Sequence, residues 1–528
     1  MSAPTRPHLG LPLLSGGLLA MATPPALLPG AEFLVVAGLA AWFVVARDAR
    51  RPRWHGYLLG AVHMAWFSWS IVHLMAVALA LIVLLGGCYY VFANSAVRAV
   101  PERWRGVAFV LASAGSFWAR SVMPEIYYPH GQPCHALYEW PALLRPVAVG
   151  GEALGNVLLA ALAVALVTAC ERRRHGVALV RACAAVVAVL VAWTGLALLA
   201  KAGVPAVEAD APRVRVAAIE PGYHLIREGH SVPEAQRSEH LRSLFEARLL
   251  APTRTLWGQA PIPDVVLWPE SSVPTDVPRS GIDDRQVRLL PGRLPPGPDA
   301  ARLVLGANVT GGDLPTPAAL LLDARGAVLG WQEKRRLVPG GEFQPLFGCM
   351  PAAWADGLRD LFERALGTLP SAVPGRERLP LVDARGVPFG ALLCYDNAFA
   401  EPAAAQVAAG ARWLAVLSNE AWYEAGGELR QLVAMTVLRA LETATPVVRC
   451  TQDGWSCWVD RDGVVRDGLP ILPSPQPGPR ILHVDLPVGA GRLPSLAWLR
   501  PFFGPAVGLG TAVLFLLGLV RWAKLRAA

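Results

Sequence analysis

Apolar positions are not spread evenly along this chain. Continuous hydrophobic runs fall at about residues 10 to 29, 31 to 46, 56 to 75, 76 to 96, 104 to 120, 147 to 169 and 178 to 200, and one more at 503 to 521. Most reach the roughly 17 to 25 residues that cross a bilayer as a helix. Pro24, Pro25 and Gly30 predict a tight hairpin between the first two. After Lys201 the pattern changes to short β-rich strings separated by helical periods and turn signals. Strands are predicted over 213 to 219, 264 to 268, 303 to 309, 387 to 393, 412 to 418 and 446 to 450, and a hairpin over 318 to 323 and 326 to 332. Helices are predicted over 231 to 250, from about 400, and over 427 to 443. Strands alternating with helices argue a layered α/β domain. The expected organisation is a membrane domain with seven transmembrane helices over 1 to 201, a catalytic domain over 202 to 500, and a C-terminal transmembrane helix with a short cytoplasmic tail over 501 to 528.

Composition sharpens this picture. The chain is 54% hydrophobic and only 17% charged, well below the quarter or so charged of a soluble domain. Its net charge of +8 sits largely in short loops between apolar runs rather than beside exposed aromatics, so it reads as a topology signal and excludes nucleic acid as a partner. The clusters Arg47 to Arg53, Arg98 to Arg105, Arg172 to Arg174 and Arg521 to Arg526 all fall on one side if the N-terminus is cytoplasmic. Residues 202 to 500 are then outside the cytoplasm. The first run lacks a small-residue cleavage site and is expected to be a retained helix. Of eight cysteines, Cys88, Cys170 and Cys183 belong to apolar helices, while Cys134, Cys349, Cys450 and Cys457 are candidates for disulfides with no pairing selected.

Only three of the 48 basic residues are lysines, and Lys201 and Lys524 flank membrane segments. Lys334 lies far from them, between Glu270 in VVLWPESS and Cys394 in ALLCYD. A chain so biased to arginine keeps a lysine where a compact, adjustable ammonium is needed. Each of the three ends its own predicted strand. A cysteine there is a nucleophile candidate, a glutamate leaving a strand through Trp268 and Pro269 a general-base candidate, and the lysine a cation for a developing oxyanion. Arg335 and Arg336 either hold a lipid phosphate or are solvated. The stretch 337 to 379, with Phe343, Phe347, Met350, Trp354, Leu361 and Phe362, is either a surface loop with one amphipathic helix or a membrane-facing lid.

The strings WPES, K-x-x-L-V-P-x-G-E and CYD, in that order, resemble the Glu, Lys, Cys triad of the nitrilase superfamily. Set between seven N-terminal membrane helices and one C-terminal helix, they resemble the apolipoprotein N-acyltransferase family. That resemblance implies a polytopic α-helical membrane domain plus an α/β nitrilase-like domain built as an α-β-β-α sandwich. It implies Glu270 as base, Lys334 as oxyanion cation, Cys394 as nucleophile and Glu342 as a supporting carboxylate, with no cofactor and no metal. Tyr395, Asp396, Asn419, Trp422 and Tyr423 would support or bind substrate, Asn419 and Trp422 lying in SNEAW, which resembles the family's T-N-D-x-W. The segment RALETATPVVRCTQDG also resembles a family motif; its Arg439, Glu442 and Arg449 are structural or touch substrate.

The implied reaction is ping-pong. A phospholipid acyl donor, with the sn-1 chain of phosphatidylethanolamine as the type case, gives a Cys thioester, and a diacylglyceryl apolipoprotein is the acceptor. The implied setting is a monomer among membrane lipids in the bacterial inner membrane, its catalytic domain on the periplasmic or outer face. Asp396 stands in place of the family's glutamate, Gly340 in place of phenylalanine, Glu424 in place of glycine, and Gln452 with Asp453 in place of asparagines. Two alternatives remain: a membrane-tethered nitrilase-like amidase or acyltransferase with another amine acceptor, and a silent scaffold binding lipoproteins or lipids.

Overall fold

The computed structural model describes residues 9–24, 28–73, 76–223, 228–229, 231–273, 276–283, 301–311, 314–366, 369–376, 379–423, 426–472 and 476–527. Pro25 and Glu424 lie outside the described residues, as do 367–368 and 377–378 of the stretch 337 to 379. The chain divides into two compact units, Met1–Val204 with Pro494–Ala528, and Pro205–Leu493.

The first unit is helical: α1 (Gly10–Ala22), α2 (Leu34–Asp48), α3 (Pro52–Phe67), α4 (Ala76–Ala99), α5 (Arg105–Val122), α6 (Val147–Arg174), α7 (Leu179–Ala202) and a C-terminal helix Arg500–Ala527. Among the described residues four segments are long and apolar enough to cross a membrane: Ala76–Ala99, Val147–Arg174, Leu179–Ala202 and Ala497–Gly518. Three helices differ from the apolar runs that predict them. α1 stops at Ala22, one residue before the Thr23 to Pro25 stretch, and α2 starts only after a 3-10 turn at Ala31–Phe33. α3 begins at Pro52, where a proline suits the first helical position, and ends at Phe67 before a 3-10 turn at Trp69–His73. At one end of this unit Arg47 donates to Glu171 (Nη1 to Oε2, 3.0 Å) while Arg98 and Arg105 both donate to the Arg47 carbonyl. Three basic clusters of the sequence therefore meet at a single end. At another point of the same unit Trp140 donates to Glu32 (2.9 Å), tying the α1–α2 connection to the segment before α6.

The second unit is two β-sheets packed face to face. The first has the order β13-β1-β2-β4-β5-β6, with the two-residue β3 (Val277–Pro278) also paired to β4; its strands are β1 (Arg213–Glu220), β2 (Val265–Leu267), β4 (Arg302–Thr310), β5 (Thr316–Asp323), β6 (Val328–Glu333) and β13 (Arg480–Pro487). The second runs β12-β11-β10-β9-β8-β7, from β7 (Leu381–Val382), β8 (Pro388–Leu393), β9 (Trp413–Ser418), β10 (Val447–Thr451), β11 (Cys457–Val459) and β12 (Val465–Gly468). Alternation along each strand builds the layers. Val214, Val216 and Ala218 of β1 join Phe389, Ala391 and Leu393 of β8 and Ala415 and Leu417 of β9 in the core between the sheets. Ala217 and Ile219 point the other way, toward Phe245, Leu249, Leu250 and Trp257 of α8 (Glu234–Phe245) and the turns through α9 (Ala251–Gly258). On the second sheet, α11 (Ala400–Ala408) and α12 (Glu428–Thr443) cover β8 and β10, following the helix α10 (Ala352–Leu366) in sequence. This is the α-β-β-α sandwich and helical membrane unit expected from sequence.

Strands β3, β7, β11, β12 and β13 are not among the predicted elements. β13 has a plain period-two burial pattern and pairs antiparallel with β1 along its whole length. The predicted helix 231 to 250 is interrupted: α8 passes through a π turn at Glu246–Leu250 into α9. None of the eight cysteines, all among the described residues, is paired in a disulfide.

Candidate active site

Strands β1, β2, β8, β9 and β10 are parallel where they pair, so their C-terminal ends gather at one edge of the sandwich. Glu270 leaves β2 after Trp268, which is fully buried and donates its indole N–H to Thr253 (3.0 Å). The turn is tight, with Ser271 at φ +55, and β4 approaches it closely. A Cβ on Gly306 would lie 2.5 Å from the Glu270 Cα, so only glycine fits there.

Lys334 follows β6, its N–H bonded to the Pro317 carbonyl (2.8 Å) and its carbonyl to the Gly375 N–H (2.7 Å). Its ammonium is buried and donates to Glu270 Oε1 at 2.8 Å and to Glu342 Oε1 at 2.6 Å. Burial alone would lower its pKa, but Glu270, then Glu342 and Cys394, hold it well above the usual lysine value. Lys334 is therefore a fixed cation. Glu342 in turn accepts the Val338 N–H on Oε2 (2.8 Å), and its backbone carbonyl accepts the Ala372 N–H (2.8 Å). Burial lifts the Glu342 carboxyl, Lys334 draws it back and Glu270 pushes it up again, leaving it above the ordinary range. Gly340 sits at φ +75 in the turn that brings Glu342 back, a conformation that favours glycine.

Cys394 directly follows β8 at φ +43 and opens a 3-10 turn, Cys394–Ala398. A non-glycine residue in the left-handed region is strained by about 1–2 kcal/mol and marks a position held by its surroundings. The register Leu393 opposite Leu417 sets Cys394 beside Ser418, whose side chain hydrogen bonds to it. Burial and then Glu270 push the thiol pKa well up, against the pull of Lys334 and Ser418, so the resting nucleophile is a neutral thiol. It needs a base to react. Asp396 ties these parts together: Oδ1 accepts the N–H groups of Arg335 (3.0 Å) and Arg336 (2.8 Å) just after the lysine, and Oδ2 accepts the Leu393 N–H (3.2 Å) just before the cysteine. Burial raises its pKa to about 6 despite Lys334 and those three donors.

Of the other predicted residues, Asn419 is buried and donates its backbone N–H to Glu270 Oε2 (3.3 Å). Trp422 and Tyr423 are half-buried in the 3-10 turn that follows. Tyr395 is buried, its ring edge-on to Phe399. Arg439 pairs with Glu442 within α12 (2.8 Å), and Arg449 pairs with Glu420, all four buried. Arg335 and Arg336 both reach Glu401 in the first turn of α11, and Arg336 stacks over Phe399. In the 337 to 376 stretch, Phe347 packs near Phe362 while Trp354 stays 71% exposed.

Residues 15–166 match the model of the apolipoprotein N-acyltransferase N-terminal domain, and residues 301–470 match that of the carbon-nitrogen hydrolases. A protein of Azotobacter vinelandii named apolipoprotein N-acyltransferase is 30% identical over 97% of this chain and 95% of its own length. The chain belongs to the apolipoprotein N-acyltransferase family. A family member of Sinorhizobium medicae is 29% identical over 49% of this chain and 46% of that protein, so the chain spans about half the length of that relative. A solved amidase of Nesterenkonia sp., with an acetamide group on its active-site cysteine, covers 54% of this chain and 94% of the amidase at 21% identity and a TM-score of 0.34.

Behind the motif residues of this apolipoprotein N-acyltransferase family member stand two buried carboxylates that are not among the predicted site residues. Glu420 is fully buried next to Asn419, held by Arg449, and accepts the Trp455 N–H (3.3 Å). Glu220, fully buried at the end of β1, accepts from Ser456 (Oγ, 2.6 Å), Thr451 (3.0 Å) and Gln476 (2.9 Å). The one local signal is a carboxylate at the end of an apolar strand in AIE and two residues past one in VLSNE.

Proposed function

We propose that this protein transfers an acyl chain from a phospholipid, through a thioester on Cys394, to the α-amine of a diacylglyceryl apolipoprotein. The observation that carries this is the buried Lys334 ammonium, bonded at once to Glu270 and Glu342, in a unit whose Cys394 stands on a strained strand end. Glu270 takes the thiol proton as Sγ attacks the ester carbonyl. The oxyanion faces Lys334, a permanent charge in a dry site. Collapse breaks the ester C–O bond, and Glu270 returns the proton to the departing lysophospholipid hydroxyl. The acceptor amine then attacks the thioester, the C–S bond breaks, and Glu270 relays a proton from nitrogen to sulfur. Glu342 supports Lys334, and Asp396 holds the lysine and cysteine turns in register. Trp422 and Tyr423 shape the pocket near the thioester, and the buried Tyr395 supports it.

The setting we propose is the bacterial inner membrane, with the arginine-rich ends of the helical unit in the cytoplasm and Pro205–Leu493 on the outer face. Incubation with phosphatidylethanolamine should add one acyl mass to the protein, and a diacylglyceryl lipopeptide should then discharge it as N-acyl product. Cys394→Ala should lose both signals completely. An adduct persisting on that variant would overturn the assignment, and a protein that hydrolyses small amides but never carries a lipid chain would favour the amidase alternative.

A further inference from the structure

The backbone of Asn419 already serves the site by donating to Glu270, so its side chain is not needed for that bond. Yet Asn419 is 7% exposed, and its side-chain oxygen makes no hydrogen bond among the described residues. Next to it, Gln452 at the end of β10 donates its N–H to the Ser418 carbonyl (2.9 Å), is fully buried, and has both side-chain polar atoms without partners among the described residues. The Asn419 side-chain oxygen is thus left unpaired beside the general base, on the residue whose backbone N–H that base accepts. Buried polar groups are normally bonded, and an orphan of this kind calls for a ligand or a catalytic explanation. The active-site location supplies one.

A carboxamide oxygen accepts hydrogen bonds and so seeks an N–H or O–H. The reacting end of the acyl donor offers none, since an ester carries only acceptor oxygens. An ethanolamine head group does carry N–H groups, but it is separated from the reacting carbon by glycerol and phosphate. The acceptor amine brings N–H groups to the thioester itself. Resting on the acyl-transfer reading above, we infer that Asn419 is the acceptor-binding residue of the second half-reaction. Its side-chain oxygen accepts one N–H of the neutral amine while Glu270 receives the other, leaving the nitrogen lone pair aimed at the thioester carbon. The N–C bond forms, the C–S bond breaks, the proton taken by Glu270 passes to Sγ, and the second N–H remains in the amide product.

The experiment separates the two half-reactions. Asn419→Ala keeps the backbone N–H to Glu270, so acyl-enzyme formation from phosphatidylethanolamine should fall by far less than the discharge step, and its persistence also reports a folded site. Discharge of the preformed thioester by a diacylglyceryl lipopeptide should slow by about 10- to 100-fold, the range for losing one good hydrogen bond. An N-methyl lipopeptide has a single amine N–H. Wild type should discriminate against it, and Asn419→Ala should treat the two acceptors alike. Equal losses in both half-reactions, or unchanged discrimination in the variant, would overturn the inference while leaving the acyl-transfer reading in place. A wild-type protein that forms no acyl-enzyme would overturn both.

Discussion

Lys334, Glu270 and Glu342 share one buried ammonium between two carboxylates, so the site carries more negative than positive charge before the thiol ionises. Burial, and after it the Glu270 charge, keep Cys394 protonated at rest and reserve its ionisation for the moment when Glu270 can accept the proton. Asp396 carries a different burden. Its carboxyl holds a proton up to about pH 6 in the folded chain, against 3.8 for the free group, because burial penalises its charge. Between these values the folded state binds the extra proton, so this residue favours folding toward acid and that contribution is lost as pH rises through about 6. Asp396→Asn has no such titration. The difference in Tm between the wild-type protein and Asp396→Asn, followed by thermal unfolding in detergent, should move in favour of the variant as pH rises from 3.8 to about 6 and stay flat above it. Parallel curves over that window would mean that Asp396 titrates normally.

At the scale of elements, the site depends on how closely strands pass one another. β4 runs so near the turn after β2 that a Cβ at Gly306 would meet the Glu270 Cα at 2.5 Å, the Pro269 carbonyl at 3.0 Å and the Ser271 nitrogen at 3.1 Å. All three are backbone atoms and cannot swing aside. Gly306→Ala should displace Glu270 and cut acyl-enzyme formation by at least about 10-fold, because displacements near an ångström cost up to about 100-fold. Gly258→Ala, at a glycine with nothing within 4 Å of the added carbon, should leave the rate unchanged. Equal rates in both variants would show that β4 does not set the position of Glu270. Contacts of this kind explain how far the sequence could be read. Glu270 and Cys394 each end an apolar run and Lys334 follows a predicted strand, local signals that survive without knowing the fold. Strand β13 also carried a local signal in its alternation, but its partner β1 lies at the far end of the unit in sequence. The pairings of Glu420 with Arg449 and of Glu220 with Ser456 have no local period at all, since they join residues that only the sheet packing brings together. The same holds for helix ends: α1 and α3 stop where turns begin, although their apolar runs continue.

At the scale of the whole molecule, the apolar runs and the charge pattern answer separate questions. Length and composition alone qualify four segments to cross a membrane among the described residues, and they carry no information on direction. Direction rests on arginines. Arg47, Arg98 and Arg105 come from the ends of α2 and α4 and the start of α5, and they converge on one carbonyl and on Glu171 of α6. Helix ends that meet in this way share a side of any membrane they border, and the positive-inside tendency predicts that side to be the cytoplasmic one of the proposed setting. The native thiols allow a direct check. Cys349 is exposed in the Pro205–Leu493 unit, and Arg50 is exposed within the first basic cluster. A membrane-impermeant maleimide applied to intact spheroplasts should label Cys349, with the signal lost in Cys349→Ser. In that Cys349→Ser background, Arg50→Cys should take up the reagent only after permeabilisation. Labelling of Arg50→Cys in intact spheroplasts, with Cys349 protected until the membrane is opened, would reverse the orientation and place the triad on the side where the basic clusters are expected.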